Sequence, residues 1–407
     1  MRPALIVPLL SAVCLTAGPR DSQLDWPLQV ETVPSPAGDG SAQPQLSVSS
    51  RGVLMSWIER AGPKATLRFA ERTGSAWSEP RTVASGTNWF VNWADVPSVV
   101  RLPDGTLAAH WLQKSGPGTY AYDVRLSYSK DDGRTWSPSF TPHHDGTETE
   151  HGFATLFPLP GAGLGLVWLD GRNMKSGEHS NGGHGSDDMS LRFGSFGKDW
   201  TQTADTALDL RVCECCPTAV AITSEGPIVA YRDRSPDETR DIYVTRLENG
   251  RWTEGKPLHA DGWRVPACPV NGPALSARRR EVAAAWFNAR DDKPKSLAAF
   301  SSDAGRTFST PVRLDDEASL GRVDIELLPD GSAAAAYVEF AGRQAQFRVR
   351  RVLPDGSRSQ PVTIAGMAGN RSSGYPRMVL REGELVFAWT VRDGGSQVRT
   401  AVARLPR

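Results

Sequence analysis

The chain has 407 residues, of which 39 are Gly and 30 Pro, and 46 basic side chains balance 46 acidic ones. With 39% apolar residues and breakers this frequent, long amphipathic helices are excluded and many short strands joined by turns are expected. Zero net charge and a pI of about 7.1 exclude a broadly basic binder of nucleic acid or anionic membrane.

The N-terminal stretch MRPALIVPLLSAVCLTAG pairs Arg2 with an apolar run from Ala4 to Thr16 that is too short to span a bilayer. Residues 1–18 therefore read as a secretory signal peptide with cleavage near Ala17, which predicts an exported protein, periplasmic or secreted. Val13 argues against lipid attachment at Cys14, because lipidated cysteines usually follow Gly, Ala or Ser. No later apolar run is long enough for a transmembrane helix, and residues 24–407 are expected to form one domain.

Along that domain one pattern recurs: an apolar strand, a turn usually carrying Gly, and a second apolar strand ending in an aromatic. The second strands end at Trp57, Trp111, Trp168, Tyr231, Trp286, Tyr337 and Trp389, at intervals of 54, 57, 63, 55, 51 and 52 residues. Seven copies at a near-constant period indicate a repeat architecture. Between them, Ser129-Lys-Asp131-Asp-Gly133-Arg-Thr135-Trp136 and Ser301-Ser-Asp303-Ala-Gly305-Arg-Thr307-Phe308 share the pattern S-x-D-x-G-x-T-[WF], with weaker relatives ending at Trp77, Trp200 and Trp252. This is hairpin-turn chemistry: Asp accepts backbone N–H groups, Gly permits positive φ, and the aromatic packs on the sheet.

These two octapeptides resemble the Asp boxes (BNR repeats) of the sialidase superfamily. The resemblance covers nearly the whole chain after the signal. It implies an all-β propeller of four-stranded antiparallel blades, with the boxes structural and facing away from the active site. Counting repeats predicts seven blades; true sialidases have six, so a six-bladed ring is the alternative. The last repeat ends after its third strand, near Val398–Leu405, and Trp26-Pro-Leu-Gln-Val30 resembles a fourth strand. The N-terminus is therefore expected to complete the C-terminal blade and close the ring.

Longer, polar loops should gather on the face opposite the boxes. Cys213-Glu-Cys215-Cys216-Pro217 and Cys268-Pro269 each lead into a first strand, in adjacent blades. Two disulfides are the simplest reading in an exported protein. The contiguous Cys215 and Cys216 make full pairing awkward, so a soft metal site for Cu or Zn, with His144 and His151 near the thiolates, and a redox-active pair are the alternatives. The Gly-rich stretch from His179 to His184 reads as a loop.

Sialidases clamp a sialic acid carboxylate with three arginines, attack through a Tyr–Glu pair and use an Asp as acid/base. By that resemblance Arg172, Arg234, Arg290, Arg371 and Arg392 are the clamp candidates, Tyr375 the nucleophile and Asp95 the acid. The family's Arg-Ile-Pro signature is absent, and no Glu is marked as the partner of Tyr375. Trp89, Trp93 and Trp263, the three tryptophans that the blade pattern leaves over, are the expected stacking platforms, with Arg232 and Asn271 as further ligand contacts. Two functions follow. One is a binding protein whose Cys/His/Arg-rich face holds a metal, a glycan or a protein partner outside the cytoplasm. The other is an exo-sialidase-like glycoside hydrolase acting on carboxylated sugars.

Overall fold

In the computed structural model, which describes residues 24–161, 163–174 and 188–406, seven antiparallel blades surround a central channel. The signal segment with Cys14 and the stretch from His179 to His184 lie outside the described residues. The innermost strands are Ser41–Val48, Ser98–Arg101, His151–Leu159, Ala219–Thr223, Ala274–Arg278, Ala318–Leu327 and Arg377–Arg381, which begin blades 1 to 7 in that order. Each touches the next, and the last touches the first, so the ring is closed. Seven blades, not six, is the count.

Residues lining a channel cavity of about 230 Å³ come from all seven innermost strands. The seven aromatics that end the second strands are all buried, with Trp57, Trp168 and Tyr337 at 0% exposure. They fill the space between neighbouring blades, where a large flat side chain removes the most apolar surface from water. No helix among the described residues is long and apolar enough to cross a membrane.

Four of the outermost strands follow a counting rule that the sequence pattern only hinted at. Val30–Val33, Arg81–Gly86, Lys256–Pro257 and Val312–Arg313 each begin four residues after an aromatic: Trp26, Trp77, Trp252 and Phe308. In blade 2 the fourth strand is reduced to a single bridge, Phe140 to Leu126, again four residues after Trp136. The N-terminal strand thus lies slightly later than the Trp26–Val30 expected, and it pairs with Gln397–Arg404 to complete blade 7.

Both Asp boxes form the same turn. The Ser129 hydroxyl donates to Asp131 Oδ1 at 2.8 Å and accepts the Gly133 N–H at 2.8 Å, while Asp131 accepts from the Thr135 N–H and hydroxyl. Gly133 and Gly305 each sit at φ +80°, where a side chain would be strained. Burial opposes ionisation of Asp303, but the hydroxyls and N–H groups that it accepts win and hold it down at about 2. Ser129→Ala or Ser301→Ala would strand a buried glycine N–H, so each should cost about 1–3 kcal/mol. The boxes lie in blades 2 and 5, so the double variant should lose the sum in urea unfolding. A non-additive result would mean that the two turns are coupled.

Candidate functional site

The blade-to-blade links and the loops between second and third strands share the face opposite the boxes, as expected. Backbone bonds such as Cys213 N–H to Arg232 O and Arg240 N–H to Trp263 O stitch them together. The most concentrated chemistry lies on the rim of blades 4 and 5. Cys213 to Cys216 leave the last strand of blade 3, Gln202–Val212, and Pro217 ends the turn before blade 4.

None of the four cysteines is in a disulfide, so the expected pairing is not formed. Cys213 Sγ lies 3.5 Å from Cys216 Sγ and 3.9 Å from Cys215 Sγ, and all three residues are buried. Cys268 is exposed, with its Sγ 3.9 Å from Glu214 Oε2. Burial pushes the Cys213 thiol up to about 11. Burial also works against the Cys216 thiolate, but the neighbouring thiols, the Arg232 charge and the Asn271 N–H outweigh it and hold Cys216 well below the usual thiol range.

A buried ion-pair network frames the thiols. Arg240 donates to Cys213 Sγ at 3.2 Å, to Glu214 Oε2 at 2.8 Å and to Glu238 Oε2 at 2.8 Å. Arg234 pairs with Glu238 and Glu214, so its donors are directed into the network rather than into the channel. Arg232 spends its donors on the carbonyls of Arg240, Asn271 and Phe287, with Trp263 stacked 5.0 Å from its guanidinium carbon. Asn271 accepts the Arg322 N–H at 2.9 Å. Trp263 is 6% exposed and Trp89 stacks on Trp111 at 5.4 Å, so both serve packing.

The five clamp candidates do not converge. Arg172 grips Asp170 through two bonds of 2.7 and 2.8 Å, and Arg290 donates to the Asp261 carbonyl at 2.9 Å and lies 3.7 Å from Asp291 Oδ2. Arg371 and Arg392 do meet, at the turn Arg371–Ser373, where Arg392 donates to Ser372 O. There Trp93 stacks on Tyr375 at 5.7 Å, with Arg371 at 5.8 Å and Arg322 at 5.4 Å from its ring. Tyr375 itself is 3% exposed, and its hydroxyl donates to Val270 O at 2.6 Å. Burial holds its proton on, the reverse of what a nucleophile requires. Arg322 gave no sequence signal; it sits at φ +52° in an irregular stretch of its strand.

Asp95 lies 1% exposed at the channel wall. Its Oδ1 accepts the Phe153 N–H at 2.8 Å, and the Tyr122 hydroxyl lies 3.0 Å from Oδ2 and 2.6 Å from Glu150 Oε1. The Tyr122 hydroxyl proton thus stands between two carboxylates, which makes the charged form of Asp95 costly. Burial, with the Glu150 charge adding to it, pushes Asp95 up to about 7.

His144 points outward, its Nε2 3.0 Å from Gln202 Oε1, and is no part of a ligand cluster. His151 is fully buried, stacked on His143 at 3.8 Å rather than joined to the cysteines. Of the adjacent pair it is His143 that turns inward and His144 that turns out, because two neighbouring residues of a loop carry no periodicity that says which one is buried.

Residues 62–387 match a family model described as the BNR repeat-like domain. No functionally curated protein is similar enough in sequence to match. Among solved structures, a protein of unknown function from Dyadobacter fermentans is 14% identical, with TM-score 0.53 over 93% of this chain and 98% of that one. The polysaccharide lyase Uly1 is 11% identical with TM-score 0.52, covering 91% of each chain. The phage phi92 endosialidase is 10% identical with TM-score 0.52, over 94% of this chain and 70% of that one. At these identities the likeness is one of fold.

Proposed function

The chain belongs to the BNR repeat-like domain family, and from that premise we propose an exported propeller protein whose Cys-rich rim binds a soft metal ion. The observation that carries this reading is the thiol spacing. A tetrahedron with metal–sulfur bonds of about 2.3 Å has edges near 3.8 Å, and the Cys213 sulfur stands 3.5 and 3.9 Å from two others. Cys213, Cys215 and Cys216 supply the buried ligands and Cys268 the exposed one. Arg232 and Arg240 offset the charge that thiolates would bring. A bound Zn or Cu ion would tie the blade 3–4 link to the blade 4–5 link.

Metal analysis of the purified, exported protein should give about one soft ion per chain at this rim, with four reduced thiols after its removal. Cys216→Ser should weaken binding by at least about 100-fold. Four oxidised cysteines and no bound metal would end this reading. The same preparation should begin near residue 18 on N-terminal sequencing, as a cleaved signal requires.

A second reading is hydrolysis of a carboxylated sugar, supported by the meeting of Trp93, Arg371 and Arg392 on the same face. It requires release of sialic acid from a fluorogenic sialoside and loss of that activity in Arg371→Ala. No turnover alongside thiol-bound metal favours the binder.

A further inference from the structure

A second group of metal-ligating side chains lies between blades 2 and 3, apart from the cysteines. His143 and His151, 5% and 0% exposed, stack with their rings 5° from parallel. Each ring has one nitrogen at each end of the stack. At one end, His143 Nε2 and His151 Nδ1 face Asp123 Oδ1 at 3.8 and 3.7 Å. At the other, His143 Nδ1 and His151 Nε2 face Asp145 Oδ2 at 3.4 and 3.2 Å.

Buried polar atoms are normally hydrogen-bonded. Here His143 Nε2, both nitrogens of His151 and Asp145 Oδ2 are buried without a hydrogen-bond partner. Asp145 and Asp170 share one guanidinium, Arg172, which is committed to Asp170 and 3.6 Å from Asp145, and Asp123 pairs with no guanidinium among the described residues. Arg125, the other cation near Asp123, spends its donors on Ser139. Two imidazoles and one Asp145 oxygen with unmade bonds, beside the Asp123 carboxylate, suit a dication.

We propose that Asp123, His143 and His151 hold a divalent ion of the Zn²⁺ class. Their three ligand atoms lie within 4.8 Å of one another, and Asp123 is the partly exposed side through which an ion would enter. Asp145 stands behind both rings, where a ligating histidine ordinarily gives its second N–H to a carboxylate. The opposite end of the stack is the poorer site, because Arg172 already occupies it. Loading requires the parallel rings to splay, so that both lone pairs point at one ion. Two imidazoles and one carboxylate leave a coordination position open for water or a ligand.

Cobalt(II) titration of the full-length mature protein separates this site from the cysteine rim. Thiolate ligands give intense charge-transfer absorption, whereas a His₂Asp site gives only weak d–d bands. The expected result is a d–d species without charge transfer that Zn²⁺ displaces. Asp123→Asn should weaken it by at least about 100-fold and Asp145→Asn by about 10–100-fold, with any thiolate absorption unchanged in both. His143→Gln should abolish it, and Asp123→Asn, on a partly exposed residue, serves where the histidine variant fails to fold. Unchanged d–d binding in a folded Asp123→Asn protein would overturn the proposal. Loss of the charge-transfer species alone would count against the cysteine reading and leave this one standing.

Discussion

Removing residues 24–33 should cost at least about 5 kcal/mol, a large part of the 5–15 kcal/mol typical of a folded domain, and should leave an aggregation-prone chain. The segment completes blade 7 through four backbone pairs, Val30 with Ala403 to Val33 with Thr400. It also buries Trp26 and Leu28 against the core of blades 6 and 7. Truncating a buried tryptophan alone costs about 3–5 kcal/mol. Loss of the strand further exposes the edge of Gln397–Arg404, whose unpaired N–H and C=O groups can recruit other chains. Urea unfolding with size-exclusion chromatography would measure both effects, and Trp26→Ala should show about half of the loss. An unchanged midpoint in the truncated protein would show that blade 7 stands without its fourth strand.

The second large effect is on pH. Stability should rise as pH falls from about 8 to about 5, and then decline. Asp95 and Asp233 are pushed up to about 7, and Glu326 to about 8, in each case chiefly by burial. These groups are protonated in the folded protein where the unfolded chain is ionised. The native state therefore binds more protons, and its stability is lost as pH rises through the folded values. For Asp95 alone the loss, accumulated between about pH 4 and pH 7, is on the order of 4 kcal/mol. Below about 6.5 the rise becomes shallower: burial holds His110 down at about 4 and His143 at about 3, so the unfolded state takes up two protons that the folded state refuses, against three kept by the buried acids, and the decline begins near 5, where the unfolded chain's carboxylates start to protonate. Asp95→Asn keeps an acceptor for the Phe153 N–H and puts a neutral group beside Glu150. It should stabilise the protein at pH 8.5 and by about half as much at pH 5.5, where the unfolded aspartate is already ionised. Equal destabilisation at both values would mean that Asp95 is ionised throughout.

The candidate site was legible only in part. The concentration of cysteines on one rim followed from their positions just before two first strands, and the structure brings them together there. The meeting of Trp93 with Tyr375 and Arg371 was not legible, because a tryptophan of the blade 1–2 link reaches a tyrosine of the blade 6–7 link only once the ring has closed. Arg234 and Arg172 are clamp candidates by resemblance, but Asp170, two residues before Arg172, and Glu238, four residues after Arg234, hold them in ion pairs together with Glu214. Tyr122 and Asp123 were passed over as ordinary members of the strand Tyr122–Ser129, yet they start two separate buried clusters.

By itself the sequence determined the blade count, the two Asp-box turns and the closing N-terminal strand. Each depends on a short stretch repeated at a fixed period: alternation for a strand, Ser-x-Asp-x-Gly for a turn, an aromatic four residues before an outer strand. Only the tertiary structure decided which polar groups meet. Asp123 comes from a third strand, His143 from a link and His151 from the next blade's first strand, and Cys268 approaches Glu214, between the other cysteines in sequence, from a separate link. Such meetings depend on how loops of neighbouring blades pack at the rim. Buried charge there must find a partner, whatever its distance along the chain.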